Sequence, residues 1–477
     1  MVYVRKRVQF TLSTLLFAFL QWGMLYSQGH EKVYFTTGLK IGEVTDTSAV
    51  ILTRLCAVEE PNPIVHRQKE PPFREPINFD DTMPVVQMDG GVPGAFGEVK
   101  MELISNSDTI SRGWTYVSSY KDYTIKNVFH GLRPYTKYKL VLSGRKNENA
   151  PVTKIRGEFR TAPKAQEIVP VFFTSSTCQY FWDYDDPLRG FKVYDQMRNL
   201  NPDFHCQTGD YVYYDKPGPM ATTVSLARHK WHAINAWSSL VDFYAHTPLF
   251  IQKDDHDVTK DDATPFSTPF GEITFDDGIA IWKEQTPTYE NRPYRTLRYG
   301  QDLEIWFVEG RLYRNTDNSG EPQGSIWGDE QKKWFVKSVA DSDATFKILM
   351  SPTPVVGPDR DAKRDNHANS TYEEEGRWLR NFIAAQKNMY IVNGDRHWQY
   401  VSKDSSTGVL EFSQGPSSDA HAQGWKVGDV RPEHEFLRVM GGFLAVKVER
   451  VHAIAQIAFI HYDVNGNQVH RKVILSK

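Results

Sequence analysis

The sequence predicts an α/β domain of packed, mixed β-sheets flanked by helices, preceded by an all-β sandwich. Three observations carry that prediction. From Val33 to Arg160 the apolar residues alternate or gather in β-branched runs, with no helical period. From Val169 onward short apolar runs take turns with helix-like segments, the texture of strand–helix units. Polar clusters rich in Asp, His and Cys recur directly after those runs, at the strand ends where sites of open α/β sheets assemble. A chain of 477 residues has room for two or three domains. With 40% hydrophobic and 24% charged residues it can bury cores, which excludes a disordered chain. A net charge of −3 supplies no basic excess to grip nucleic acid.

The first 28 residues read as a signal peptide. Arg5, Lys6 and Arg7 precede an apolar stretch from Phe10 to Leu20, and a polar exit follows at Tyr26-Ser-Gln28. The apolar stretch is too short to span a bilayer comfortably, and no later segment is longer. The expectation is an exported protein, periplasmic or extracellular, with no membrane span once the signal is removed. Three cysteines, Cys56, Cys178 and Cys206, cannot all pair within the chain. Cys206 lies in an apolar run and reads as a small core residue, whereas Cys178 follows a strand in the polar run Thr174-Ser-Ser-Thr-Cys-Gln179.

Residues 29–163 form the expected β module. Ser48 to Leu55 is rich in β-branched residues and Tyr123 to Val128 alternates. His130 to Leu142 is a turn followed by an alternating strand. That stretch resembles the late strands of fibronectin type III domains, so the module is expected to be a fibronectin type III/Ig-like sandwich with Tyr138 as its corner tyrosine. Pro61 to Gly94 carries seven prolines and reads as a long insertion. Thr161 to Glu167 reads as the linker.

Residues 164–477 form the second domain. Val169–Phe173, Pro202–Thr208, Leu249–Gln252, Phe346–Met350 and Met389–Val392 are expected strands. Phe191–Leu200, Ser225–Ala245, Asp329–Ala340 and Glu373–Gln386 are expected helices, and Phe443 to Leu475 returns to β alternation. The strands end at Cys178, at Gly209-Asp210, at Asp254-Asp-His-Asp257, at Ser351-Pro-Thr-Pro354 and at Gly394-Asp-Arg-His397. One such cluster is explained by a turn or a cap. Five in the same place argue for one shared site.

Asp210, Asp255, Asp257, Asp395 and His397 supply oxygen and nitrogen donors, and Cys178 adds a soft sulfur. Carboxylates crowded on loops repel one another unless a cation neutralises them, so the natural reading is a metal site. Iron or zinc suits the thiolate and imidazole; calcium, magnesium or manganese suits the carboxylates. Asn366-His367 and Asp419 to His421 lie in loops and read as solvated.

The ordered set Ser176-Thr-Cys-Gln179, Gly209-Asp-Tyr-Val-Tyr213, Asp254-Asp-His-Asp257, Arg311-Leu-Tyr-Arg314, Asp329 to Trp334, Ser351-Pro-Thr-Pro354 and Gly394-Asp-Arg-His397 resembles the alkaline phosphatase D (PhoD-like) family of metallophosphoesterases. The resemblance covers most of the chain. It implies a β-sandwich before a metallophosphoesterase domain, and hydrolysis of phosphate mono- or diesters by metal-bound hydroxide. It implies iron(III) held by Cys178, Asp210, Tyr213 and His397, with Asp210 bridging to calcium at Asp255 and Asp395. His256 would assist the leaving oxygen, and Arg311 or Arg314 would clamp phosphate oxygens. Zinc, manganese or magnesium are the alternative metals, and a small phosphate ester is the expected partner. The sequence departs from the family in having Glu309 within Val308-Glu-Gly-Arg311 and Asp261-Asp262 after the Asp-rich run. Arg396 is a family residue with no assigned role. The rival functions are a surface-binding protein with an inactive phosphoesterase-like domain and a diester-selective phosphodiesterase.

Overall fold

Alternation decides the N-terminal strands. In Lys137–Arg145 the side chains of Tyr138, Leu140 and Leu142 are buried while Lys137 and Lys139 stay in solvent. The computed structural model describes residues 32–106, 108–316 and 324–477, so the expected signal peptide lies outside the described residues. The N-terminal strands are β1 (Leu39–Gly42), β2 (Ser48–Arg54), β3 (Glu98–Ile104), β4 (Thr109–Tyr116), β5 (Thr124–His130), β6 (Lys137–Arg145) and β7 (Thr153–Arg160). Strands β1-β2-β5 face a four-stranded sheet, β4-β3-β6-β7, across one core that includes Ile41, Ile51, Phe129, Met101, Leu140 and Phe159. The Tyr138 hydroxyl accepts the Arg133 N–H at 2.9 Å, tying the start of β6 to the turn before it.

The second half runs β8 (Val171–Ser176), α1 (Lys192–Asn199), β9 (Phe204–Thr208), α2 (Val224–Asn235), α3 (Ser238–Tyr244), β10 (Leu249–Gln252), α4 (Phe275–Gln285), β11 (Arg295–Tyr299) and β12 (Leu303–Phe307). It continues with α5 (Gly328–Ala340), β13 (Phe346–Ser351), α6 (Glu373–Ala384), β14 (Met389–Asn393), β15 (Gln399–Lys403), β16 (Leu410–Gln414), β17 (His434–Arg438), β18 (Phe443–Val451), β19 (Ile454–Tyr462) and β20 (Gln468–Leu475). A nine-stranded sheet, β20-β19-β18-β8-β9-β10-β1-β2-β5, packs on a seven-stranded one, β11-β12-β13-β14-β16-β15-β17. Stacked rings join them, Phe250 on Phe307 with centroids 5.3 Å apart and Phe412 on Phe459 at 3.8 Å. Each buried phenylalanine contributes about 1.5–3 kcal/mol.

Three features differ from the sequence reading. The β module is not set off by a free linker: β1 pairs with β10 in parallel, so its three-stranded half continues the nine-stranded sheet. The linker itself is tied down, with Thr161 N–H bonded to Thr136 O and Ala162 N–H to Thr45 O. The expected helix 225–245 is two helices, because Trp237 leaves helical geometry (φ −60°, ψ 128°) to stack on Phe181, and Ser238-Ser239 starts a new turn. Between 258 and 328 the sequence reading placed no element, yet α4 and the hairpin β11–β12 form there. The signal for α4 is a capping box in which Thr274 and Asp277 bond each other's backbone N–H.

Candidate metal centre

Strands β8, β9 and β10 are parallel neighbours, so the loops after Ser176, Thr208 and Gln252 leave one edge of their sheet together. The parallel pair β13–β14 brings Gly394 to the same edge from the second sheet: a Cβ there would stand 2.6 Å from the Pro352 and Thr208 carbonyl oxygens. At Gly209 a Cβ would stand 2.6 Å from Asp254 Cβ, which is why this turn needs glycine. Three non-glycine residues at this edge are held in left-handed backbone geometry, Cys178 (φ 51°), Asp210 (φ 56°) and Asp395 (φ 65°). Such residues cost about 1–3 kcal/mol each and cluster where function fixes the chain.

One set of donors converges on Asp210. Its Oδ2 lies 3.4 Å from Cys178 Sγ and 3.1 Å from the Tyr213 hydroxyl, which is 3.3 Å from His397 Nε2. Burial pushes the Cys178 thiol, the Tyr213 hydroxyl and the Asp210 carboxyl well above their usual ranges, and neighbouring acids push further in the same direction. Burial drives His397 well below the usual imidazole range. The site is therefore short of positive charge. Asp395 and His397 are its partly exposed members and mark the side that opens to solvent.

The second set is made of carboxylates. Ligand-capable atoms of Asp210, Asp254 and Asp395 lie within 4.8 Å of one another, as do those of Asp210, Asp255 and His256, and those of Asp255, Asp262 and Asp365. Asp255 and Asp395 thus both stand beside Asp210, and the structure adds Asp254, marked in the sequence only as part of its Asp-rich run, and Asp365, which no sequence pattern marks. Asp257 is a structural tie: its oxygens accept the Asp210, Val212 and Asp254 N–H groups, so it differs from the donor role expected of it. Burial raises Asp254 to about 6 despite Arg311, whereas for Asp255 burial is outweighed by Arg311, His256 and Lys363 together, which hold the carboxyl below its usual range.

Arg311 is wholly buried, its Nε 2.5 Å from Asp254 Oδ1 and its Nη2 within 4 Å of Asp255 and Asp365. Arg314 is buried too, donating from Nε to the Gly310 carbonyl and lying over the Tyr372 ring. In this structure both guanidinium groups are engaged with protein partners. Glu309, the departure from the family, accepts the Arg311 and Leu312 N–H groups and pairs with Lys253. Arg396 pairs with Asp359 at 3.0 Å and with Asp395.

His256 faces this edge with Nδ1 2.7 Å from Asp215 Oδ1. Burial lowers its proton affinity, but Asp215, Asp255 and Asp210 outweigh that and raise it well above the usual imidazole range. The loops read as solvated are buried. His421 bonds the Tyr213 hydroxyl at 2.8 Å, Asn366 bonds Asp359 at 2.7 Å, and His367 pairs with Glu375 at 3.1 Å. No local pattern marks His421, which sits on a single turn of 3-10 helix brought in from beyond β16.

The residues fit cations. Among the described residues, Asp210 Oδ1, Asp254 Oδ2, Asp255 Oδ1 and Asp365 Oδ2 are buried without a hydrogen-bond partner, and only the last two face a cation, Arg311 Nη2 at 3.6 and 3.7 Å; such burial is costly for carboxylates unless further positive charge faces them. A thiol, a phenol and an imidazole around one carboxylate make a donor set for iron or zinc, and the all-oxygen group suits a harder ion.

A family model described as PhoD-like phosphatase matches residues 172–433. No curated protein matches the chain. Among solved structures, one of PhoD is 16% identical with a TM-score of 0.67, covering 93% of this chain and 90% of that one. A purple acid phosphatase from yellow lupin (Lupinus luteus) seeds is 10% identical with a TM-score of 0.61, covering 92% and 74%. At these identities the two structures establish likeness of fold.

Proposed function

The chain belongs to the PhoD-like phosphatase family and is a phosphoric ester hydrolase; from that premise we propose that it is exported and cleaves small phosphate mono- or diesters at the Asp210 edge. The observation that carries the reading is that Cys178 and Tyr213 meet at Asp210 Oδ2 with His397 against the Tyr213 hydroxyl, while Asp210 Oδ1 is buried without a hydrogen-bond partner. Cys178, Asp210, Tyr213 and His397 would hold one ion, iron(III) by preference. Asp210, Asp255 and Asp395, joined by Asp254, would hold a second, calcium by preference. Cations bound there supply a Lewis acid that acidifies water and screens charge on the phosphoryl oxygens.

The protein groups do the rest. The loop ties made by Asp257 fix the Asp210 and Asp254 backbones relative to one another. Asp215 accepts from His256 Nδ1, which leaves the Nε2–H able to donate to a departing alkoxide. Arg311 acts from behind the carboxylates, limiting their mutual repulsion, and its role as a direct phosphate clamp requires release from Asp254. Among the described residues no helix is long and apolar enough to cross a membrane.

The test is hydrolysis of p-nitrophenyl phosphate and bis(p-nitrophenyl) phosphate by the purified chain and by Asp210→Ala. Loss of at least about a thousandfold in the variant, with the fold retained, is the expected result. Wild-type turnover by a folded Asp210→Ala protein would remove the site.

A further inference from the structure

Tyr213 has a second partner that the metal reading does not use. Its hydroxyl is 2.8 Å from His421 Nε2, closer than either Asp210 or His397. His421 Nδ1 is in turn 2.7 Å from Asp183 Oδ2, and the other oxygen of Asp183 accepts the backbone N–H of Arg74 at 2.7 Å. All three side chains are buried, His421 and Asp183 completely. Arg74 belongs to the Pro-rich insertion of the N-terminal module. The residue before it, Phe73, donates its N–H to the Ala420 carbonyl at 3.2 Å. Its ring stands edge-on to His421 at 4.7 Å and to His397 at 6.1 Å.

A buried histidine between a carboxylate and a phenol has one favourable arrangement. The carboxylate accepts from Nδ1–H, so Nε2 accepts from the phenol O–H and takes up that proton when the phenol ionises, and in either state the phenol ring cannot swing without breaking the bond. A purely packed tyrosine needs neither partner. Nor does packing explain why a distant insertion bonds both Asp183 and the turn that carries His421.

We infer that Asp183 and His421 are positioning residues that fix the Tyr213 hydroxyl within the donor set, and that Phe73-Arg74 of the N-terminal insertion lock them. The inference rests on Tyr213 belonging to the metal centre. It makes the insertion a working part of the hydrolase site.

The test is metal uptake by the full-length protein, stripped with chelator and titrated with iron(III) supplied as its citrate complex. Affinity and the tyrosinate ultraviolet difference band are recorded together, with folding checked by thermal melting. His421→Ala is expected to weaken uptake by about 10–100-fold and to shrink the tyrosinate band per bound ion. Asp183→Asn should do likewise, and His421→Gln, which returns a polar atom near the Nε2 position, should recover part of the loss. Phe73→Ala tests the lock at a half-buried position and should move affinity in the same direction by a smaller factor. If Tyr213→Phe weakens uptake while a folded His421→Ala protein binds iron and develops the band as wild type does, the positioning role is overturned and the metal reading stands. If the wild-type protein takes up no iron, or Tyr213→Phe changes nothing, the assignment of Tyr213 to the metal centre fails, and the inference fails with it.

Discussion

Arg311 Nε lies 2.5 Å from Asp254 Oδ1, and neither side chain reaches solvent. The same guanidinium faces Asp255 and Asp365, so one cation stands behind three carboxylates. That arrangement makes the site tolerable before any metal arrives.

Arg311→Met should therefore destabilise the metal-free protein by about 3–5 kcal/mol, the usual result of stranding buried charge. Adding calcium should return part of that loss, because the ion replaces the missing positive charge. Urea midpoints with chelator and with calcium check this; equal midpoints for variant and wild type under both conditions would show that the carboxylates do not need Arg311.

His256, oriented by Asp215 and raised in proton affinity by its neighbouring carboxylates, should matter in proportion to how poor the leaving group is. His256→Ala is expected to slow alkyl phosphate hydrolysis by about 10²–10⁴-fold while sparing p-nitrophenyl esters, whose nitrophenolate leaves without a proton. A uniform loss on both substrate classes would assign His256 to binding instead.

Elemental analysis and the visible spectrum of the purified protein test the donor sets. Iron with a visible charge-transfer band, bleached in Tyr213→Phe or Cys178→Ser, is expected, with calcium alongside it. A colourless protein that takes up neither ion and stays active after chelation would contradict the metal assignment.

Stability should fall with acid through buried imidazoles away from the carboxylates. Burial pushes His205, His229 and His461 down to about 3. The folded state keeps them neutral while the unfolded chain takes up protons near 6.5, so their contribution is intact above about 6.5 and is lost as pH falls toward 3. Each imidazole adds a slope of about 1.4 kcal/mol per pH unit across that window. Urea midpoints at pH 7.5 and pH 5 measure it, and His229→Gln should flatten the dependence.

Strand ends were legible because they announce themselves twice, by the apolar run and by the polar cluster after it. Cys178, Asp210, Asp255, Asp395 and His397 are expected on those grounds, and the structure brings them to one edge. Asp183, His421, Asp215 and Asp365 are not, since each is brought in by a loop whose path depends on tertiary contacts. The Asp254-Asp-His-Asp257 run shows the limit clearly. Composition marks all four, but only the structure separates Asp257, consumed by backbone N–H groups, from Asp254 and Asp255, which keep unpartnered oxygens. The helix break at Trp237 was hidden for the same reason, because its cause is the ring of Phe181, far away in sequence.

The parallel pairing of β1 with β10 bears on how this protein can be inherited and handled. Strand β10 delivers Asp254 and Asp255, and its outer neighbour is supplied by the first half of the chain. Cutting at residue 163 would bare an unpaired edge beside the loop that carries Asp254 and Asp255, inviting strand exchange between molecules. The two halves are thus not interchangeable cassettes: they must be made, unfolded and transplanted as one.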